Sequence, residues 1–194
     1  MKHKIYGNEL NNMPYQPRPE GYDGPIWRYS ENPTIKMNPF PNASRVFNSA
    51  VMAYKDEFIG VFRADTKNGI PFLFVGHSKD GIHFDFEIDP IVFHDKEGKP
   101  IKLEYAYDPR LVELEGTYYI IFCTSNHGPT LGIGKTKDFK DFELVDNPFL
   151  PFNRNGVLFP RKINGEYAMF SRPSDSGHTQ FGDIFLSYSK DMEY

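Results

Sequence analysis

The amino-acid sequence predicts an all-β protein of the β-propeller type, on three observations. A unit consisting of a hairpin and a third strand occurs three times in 194 residues. Each hairpin places a turn signal between strand-like runs. Each third strand closes on Ser/Thr-Lys-Asp, and the aspartates Asp80, Asp138 and Asp191 recur every 50 to 60 residues or about that, a spacing of blades with long loops rather than of a sandwich.

Residues 1–40 come first and differ from the rest. They are rich in Pro, Asn, Tyr and charge, as in Met13-Pro-Tyr-Gln-Pro-Arg-Pro and Trp27-Arg-Tyr-Ser-Glu-Asn-Pro33, and hold no sustained period of 3.6 or 2. An irregular arm packed on a neighbouring surface is expected. The first unit follows, with Val51–Phe62 turning at Lys55-Asp-Glu57 and then Phe72–Phe84. The second carries Leu111–Phe122 with its turn at Glu115-Gly116, then Leu131–Phe139. The third carries Leu158–Phe170 with Asn164-Gly165, then Ile184–Met192.

Residues 41–194 are therefore read as the first part of a propeller. A propeller closes with four to eight blades, and the sequence stops at Lys190-Asp-Met-Glu-Tyr194, where the first unit continues into a further strand. The expectation is the N-terminal part of a longer protein, with a compact three-unit domain as the alternative.

Composition narrows the function. Aromatics at 16% with 16 Gly and 16 Pro suit short strands and tight turns. A net charge of -4 supplies no global positive field for nucleic acid or an anionic membrane surface, so any anion site is local. The single cysteine, Cys123, lies in the apolar run Tyr118–Cys123 and reads as a buried inert thiol. Met1-Lys-His-Lys-Ile lacks the apolar stretch of a secretory signal, and no run of about 18 apolar residues occurs, so a soluble cytoplasmic protein is expected.

The polar residues cluster at the starts of the inner strands, where a propeller gathers its functional groups. Tyr105-Ala-Tyr-Asp-Pro-Arg-Leu111 sets one acid, Asp108, between aromatics and before a proline. Asp108 is the candidate reacting group; the alternative is a strand-start acid bonded to nearby backbone amides. Arg63 and Arg172 occupy equivalent places in units one and three and, with Arg154, form a candidate cationic cluster, since a guanidinium fork suits oxyanions and vicinal hydroxyls. Structural salt bridges are the competing explanation. An inverting glycosidase needs two carboxylates, whereas phosphate is already an anionic nucleophile and needs one acid plus cations that hold it in line. The pattern points to carbohydrate chemistry with phosphate as reactant. The six histidines lack the paired spacing of zinc ligands, and no metal is expected. Asn126-His-Gly-Pro129 and Gly177-His178 read as rim groups for sugar hydroxyls.

At these residues the chain resembles glycoside hydrolase family 130, the inverting β-mannoside phosphorylases with a five-bladed propeller fold. The resemblance runs from about Trp27 to the last residue and rests on Trp27-Arg-Tyr-Ser, Val46-Phe-Asn-Ser-Ala, Gly60-Val-Phe-Arg, Tyr107-Asp-Pro-Arg, His127-Gly-Pro-Thr, Pro151-Phe-Asn-Arg-Asn-Gly, Phe159-Pro-Arg-Lys-Ile-Asn-Gly and Ser171-Arg-Pro-Ser-Asp. It implies five blades, of which about three lie in this chain, and further phosphate and mannose ligands in the later ones. It implies that Asp108 is the general acid, acting through the mannose 3-hydroxyl. Arg154, Asn155 and Arg172 then contact phosphate; Asn48, Arg63 and Asp65 hold the mannosyl unit; His178 lies toward the leaving sugar. Roles for His127, Arg161 and Lys162 stay open.

The expected activity is reversible phosphorolysis of 4-O-β-D-mannosyl-D-glucose to α-D-mannose 1-phosphate and D-glucose, with inorganic phosphate as co-substrate, no cofactor, and a homo-oligomeric enzyme. A β-1,4-mannooligosaccharide phosphorylase, a β-mannoside hydrolase on the same scaffold and a noncatalytic carbohydrate-binding propeller are the alternatives.

Overall fold

The computed structural model describes residues 16–125, 128–174 and 182–192. Every regular element in them is a β-strand, twelve in all among the described residues. The first sheet orders β1 (Ala43–Tyr54), β2 (Glu57–Thr66), β3 (Pro71–Ser78) and β4 (Asp85–Phe86) side by side. The second runs from β5 (Phe93–His94) through β9 (Phe142–Asp146), β8 (Thr130–Thr136) and β7 (Thr117–Thr124) to β6 (Ala106–Leu114). The third is β10 (Asn153–Leu158), β11 (Tyr167–Pro173) and β12 (Phe185–Ser189). One sheet per sequence unit is what the repeat predicted.

The hairpin turns fall where expected, and their backbone explains the residues chosen. Glu115-Gly116 and Asn164-Gly165 have positive φ at both positions (54° and 77°, 52° and 86°), the geometry whose twist matches that of the flanking strands. Lys55 turns the first hairpin at φ 53°.

The Ser/Thr-Lys-Asp signature is a turn device repeated in all three units. The hydroxyls of Ser78, Thr136 and Ser189 accept N–H bonds from the residues two and three positions on. Asp80 and Asp138 accept the next two N–H groups, from Ile82 and His83 and from Lys140 and Asp141. The residue after each aspartate is left-handed: Gly81 at 74°, Phe139 at 60° and Met192 at 66°. Phe139 and Met192 accept that conformation because it drives their side chains into the seams between sheets, where both are buried.

Alternation along β7 shows why the middle sheet is apolar throughout. Ile120 and Phe122 join a core with Ile59, Val61, Leu73 and Val75 of the first sheet, while Tyr119 and Ile121 join a core with Leu158 and Met169 of the third. A strand buried on both faces reads as a continuous apolar run. The third sheet buries one face this way. A row of directly paired residues, Val157, Phe170 and Leu186, stays exposed.

One feature was not legible. β5 leaves the first unit and pairs in parallel with β9 at the far edge of the second sheet. Its Phe93 ring stacks on Phe122 at 4.8 Å, in space that Gly134 leaves by lacking a side chain. Residues 16–42 contain no strand; the Trp27 indole donates to the Gln16 carbonyl at 3.0 Å, and Phe40 packs on Phe74 and Phe86 of the first sheet.

Candidate active site

In the first long strand of each sheet, β1, β6 and β10, the ladder slips at the candidate residues. On β1 the register shifts between Val46 and Ser49, so Phe47 and Asn48 both oppose Arg63. On β6 it shifts between Tyr107 and Arg110, at Asp108 and Pro109. On β10 it shifts between Asn153 and Asn155, leaving Arg154 as the extra residue. A bulge bends its strand and re-aims a side chain. These bulges put Asn48 opposite Arg63 of β2, Asp108 in hydrogen-bond contact with Arg63, and Arg154 next to Asn155, which pairs with Arg172 of β11.

The sequence accounts for the bulge on β6. Pro109 has no N–H to give the ladder, which confines proline in sheets to edges and bulges. Asp108 takes φ 52°, a left-handed conformation that costs a non-glycine residue about 1–2 kcal/mol. Such an outlier at a candidate acid is the kind of local strain that functional sites retain.

Arg63 organises the middle of the site. Its Nη1 donates to Asp108 Oδ1 at 3.0 Å and its Nε to Asp65 Oδ1 at 3.3 Å. The guanidinium lies 4.9 Å from the Phe47 ring centre and 5.2 Å from that of Tyr107, within cation–π range on both. Each of the three charged side chains is about a quarter exposed (22 to 25%).

Below the acid, burial and a bond to Cys123 push the Tyr107 hydroxyl far above its ordinary value, so it stays protonated. Burial likewise raises Cys123, against the Tyr107 hydrogen bond and the charge of Arg154. The Arg154 charge is felt at Tyr105, Tyr107 and Cys123, and the Asp108 charge at Cys123. β10, which carries Arg154, packs against β6 and β7 of the second sheet.

Arg154 also donates Nε–H to the Ser174 carbonyl at 2.9 Å. Asn155 sits directly opposite Arg172 in the β10–β11 ladder, above a buried Asn153 that donates to Ser171 Oγ at 3.1 Å. Asn48 is exposed on its bulge. Lys162 is engaged structurally, 3.0 Å from Glu115 and over the Tyr167 ring. His178 and His127 lie outside the described residues. Among the described residues, no group of three or more His, Cys, Asp or Glu side chains is placed to hold a metal ion.

Sequence reasoning missed the aromatic clamp on Arg63. Phe47 and Tyr107 both stand in the motifs, but only the slipped register puts Phe47 opposite Arg63. The candidate residues also line neither of two cavities elsewhere: one of about 130 Å³ between the second and third sheets, bordered by Ile133, Leu158, Met169 and Met192, and an open cleft bordered by His94, Lys135 and Glu143.

The fold and this arrangement define a class, a propeller-like all-β scaffold of the kind that glycoside-processing proteins share. Its backbone superposes on the β-1,2-mannobiose phosphorylase of Listeria innocua, solved with β-1,2-mannobiose, with a TM-score of 0.69 at 22% identity over 86% of this chain and 63% of that one. A family profile described as β-1,4-mannooligosaccharide phosphorylase matches residues 8–193, and the chain belongs to that family, glycoside hydrolase family 130. It is 49% identical to a β-1,4-mannooligosaccharide phosphorylase of Ruminococcus albus over 98% of its own length and 59% of that protein's. It is 29% identical to a 4-O-β-D-mannosyl-D-glucose phosphorylase of Bacteroides fragilis, over 77% of this chain and 42% of that one. The chain thus spans about six tenths or less of the length of these two relatives.

Proposed function

We propose that the protein catalyses inverting phosphorolysis of β-1,4-linked mannosides, on a five-bladed propeller to which these three sheets contribute. The observation that carries this reading is Asp108, strained on a bulge with one oxygen held by Arg63, beside a second bulge that brings in Arg154. One acid among cations is the requirement of a reaction whose nucleophile is already an anion.

A phosphate oxygen, held by Arg154, Asn155 and Arg172, bonds to the anomeric carbon as the glycosidic C–O bond breaks on the opposite face. The leaving oxygen takes a proton from the mannose 3-hydroxyl, which Asp108 replenishes. Asn48 and Asp65 position the mannosyl unit and His178 lies toward the leaving sugar. The products are α-D-mannose 1-phosphate and the shortened sugar. Mannosylglucose was the donor expected from the sequence. The greater similarity to the Ruminococcus albus enzyme favours a mannooligosaccharide instead, and initial rates on the two donors decide.

The test is product analysis on the full-length protein with and without phosphate. Mannose 1-phosphate forms only with phosphate, and Asp108→Asn lowers its rate by about 10²–10⁴, the usual contribution of general acid catalysis. Free mannose released regardless of phosphate identifies a hydrolase. Sugar binding without turnover identifies a noncatalytic propeller.

A further inference from the structure

Arg63 was expected to grip the mannosyl unit. Its geometry supports another task. Nε and Nη1 are committed to Asp65 and Asp108, and the guanidinium lies over the rings of both Phe47 and Tyr107. A planar, delocalised cation suits such a mount, with carboxylates bonding its N–H groups and aromatic rings within cation–π range.

Resting on the phosphorylase reading above, we propose that Arg63 is a positioning residue for Asp108, and that Asp65, Phe47 and Tyr107 hold Arg63 for that purpose. The ion pair crosses from the first sheet to the second, so it fixes the acid against a separate element rather than against its own strand. Asp108 Oδ1 is taken. Oδ2 has no protein partner among the described residues and is the oxygen available to carry and deliver the proton. When that proton leaves, Asp108 gains a negative charge and the contact with the arginine cation becomes an attraction between two opposite charges, which is stronger. An interaction that strengthens as the reaction proceeds accelerates the chemical step without tightening substrate binding. Asp65 lies two residues from Arg63, on the same face of β2, and keeps the guanidinium from turning away.

The discriminating readout is the demand for a proton. Arg63→Lys keeps the charge but cannot serve two carboxylates at once with a planar fork. In the full-length protein at saturating phosphate, kcat is measured on β-1,4-mannobiose and on 2,4-dinitrophenyl β-mannoside, whose leaving group departs without protonation. The expected result is a kcat loss of about 10²-fold on the disaccharide and less than about 5-fold on the aryl mannoside, with KM for either changed less than about 3-fold. Phe47→Leu, which removes one of the rings beside the guanidinium, follows the same split with a smaller loss, and serves if Arg63→Lys fails to fold by circular dichroism and thermal midpoint. Equal losses on both donors, or losses carried by KM, mean that Arg63 holds the sugar or the fold, and overturn the proposal.

Asp108→Asn on the same two donors separates this failure from that of the underlying reading. If Asp108→Asn distinguishes the donors and Arg63→Lys does not, the positioning role alone falls. If Asp108→Asn does not distinguish them, Asp108 is not the acid, and the proposal falls with it.

Discussion

Asn155 and Arg172 face each other as paired residues of β10 and β11, one position beyond the bulge that carries Arg154. Backbone pairing therefore sets the spacing of two proposed phosphate ligands. Arg172→Ala is expected to raise KM for phosphate by about 10- to 100-fold, from the loss of a charge-assisted bond worth about 1.5–3 kcal/mol. Initial rates against phosphate concentration provide the check. An unchanged phosphate KM would remove Arg172 from the site.

Phe139 should show an inverted order of substitutions. Its ring packs 5.1 Å from Tyr54 and 4.8 Å from Tyr118, centre to centre, closing the seam between the first two sheets, but its φ is 60°. Phe139→Ala is expected to cost about 3–5 kcal/mol from the cavity left behind. Phe139→Gly loses the same ring yet escapes the left-handed penalty of about 1–2 kcal/mol. Chemical denaturation should find the Gly variant at least as stable as the Ala variant, the reverse of the order in an ordinary strand.

Stability is expected to fall at both ends of the pH range around the first Ser-Lys-Asp turn. The bond from His83, then the backbone N–H groups of His83 and Ile82, hold Asp80 well below its ordinary 3.8. A lowered carboxylate stabilises the fold above its unfolded value and loses that stabilisation as pH falls through its folded value. His83 is raised above 6.5 by Asp80, so its contribution is complete below 6.5 and disappears as pH rises through the folded value. Thermal midpoints should therefore decline as pH rises from 6.5 through the folded value of His83 as well as in acid. His83→Gln should abolish the upper decline, and Asp80→Asn should abolish it and weaken the acid one as well; no change in either would refute the assignment.

Cys123 should resist alkylation while the protein is folded. It is buried, and its thiol is raised chiefly by that burial, which disfavours the thiolate that reacts. Mass spectrometry after iodoacetamide should find Cys123 unmodified in the native protein and modified in denaturant. Rapid native labelling would show that the strand opens.

Much of this protein was legible in its residues because the signals were local. Asn164-Gly165 and Glu115-Gly116 turn where their backbone preferences direct, and the Ser/Thr-Lys-Asp turns follow from hydroxyl and carboxylate groups bonding amides two and three positions away. Asp108 could be singled out by its proline and aromatic neighbours. β5 was not legible, because two residues carry no periodicity and its partner β9 lies about 50 residues further on. The clamp on Arg63 was hidden for a related reason. Strict alternation misassigns Phe47 by one place, and only a bulge brings it opposite Arg63.

The sequence by itself determined the all-β repeat, its turns, the family, and the residue types available for chemistry, since these depend on interactions spanning a few positions. Tertiary structure alone decided how those residues are used. Bulges are settled by the pairing of whole strands, and the contact between Arg63 and Asp108 exists only because packed cores hold one sheet against the next.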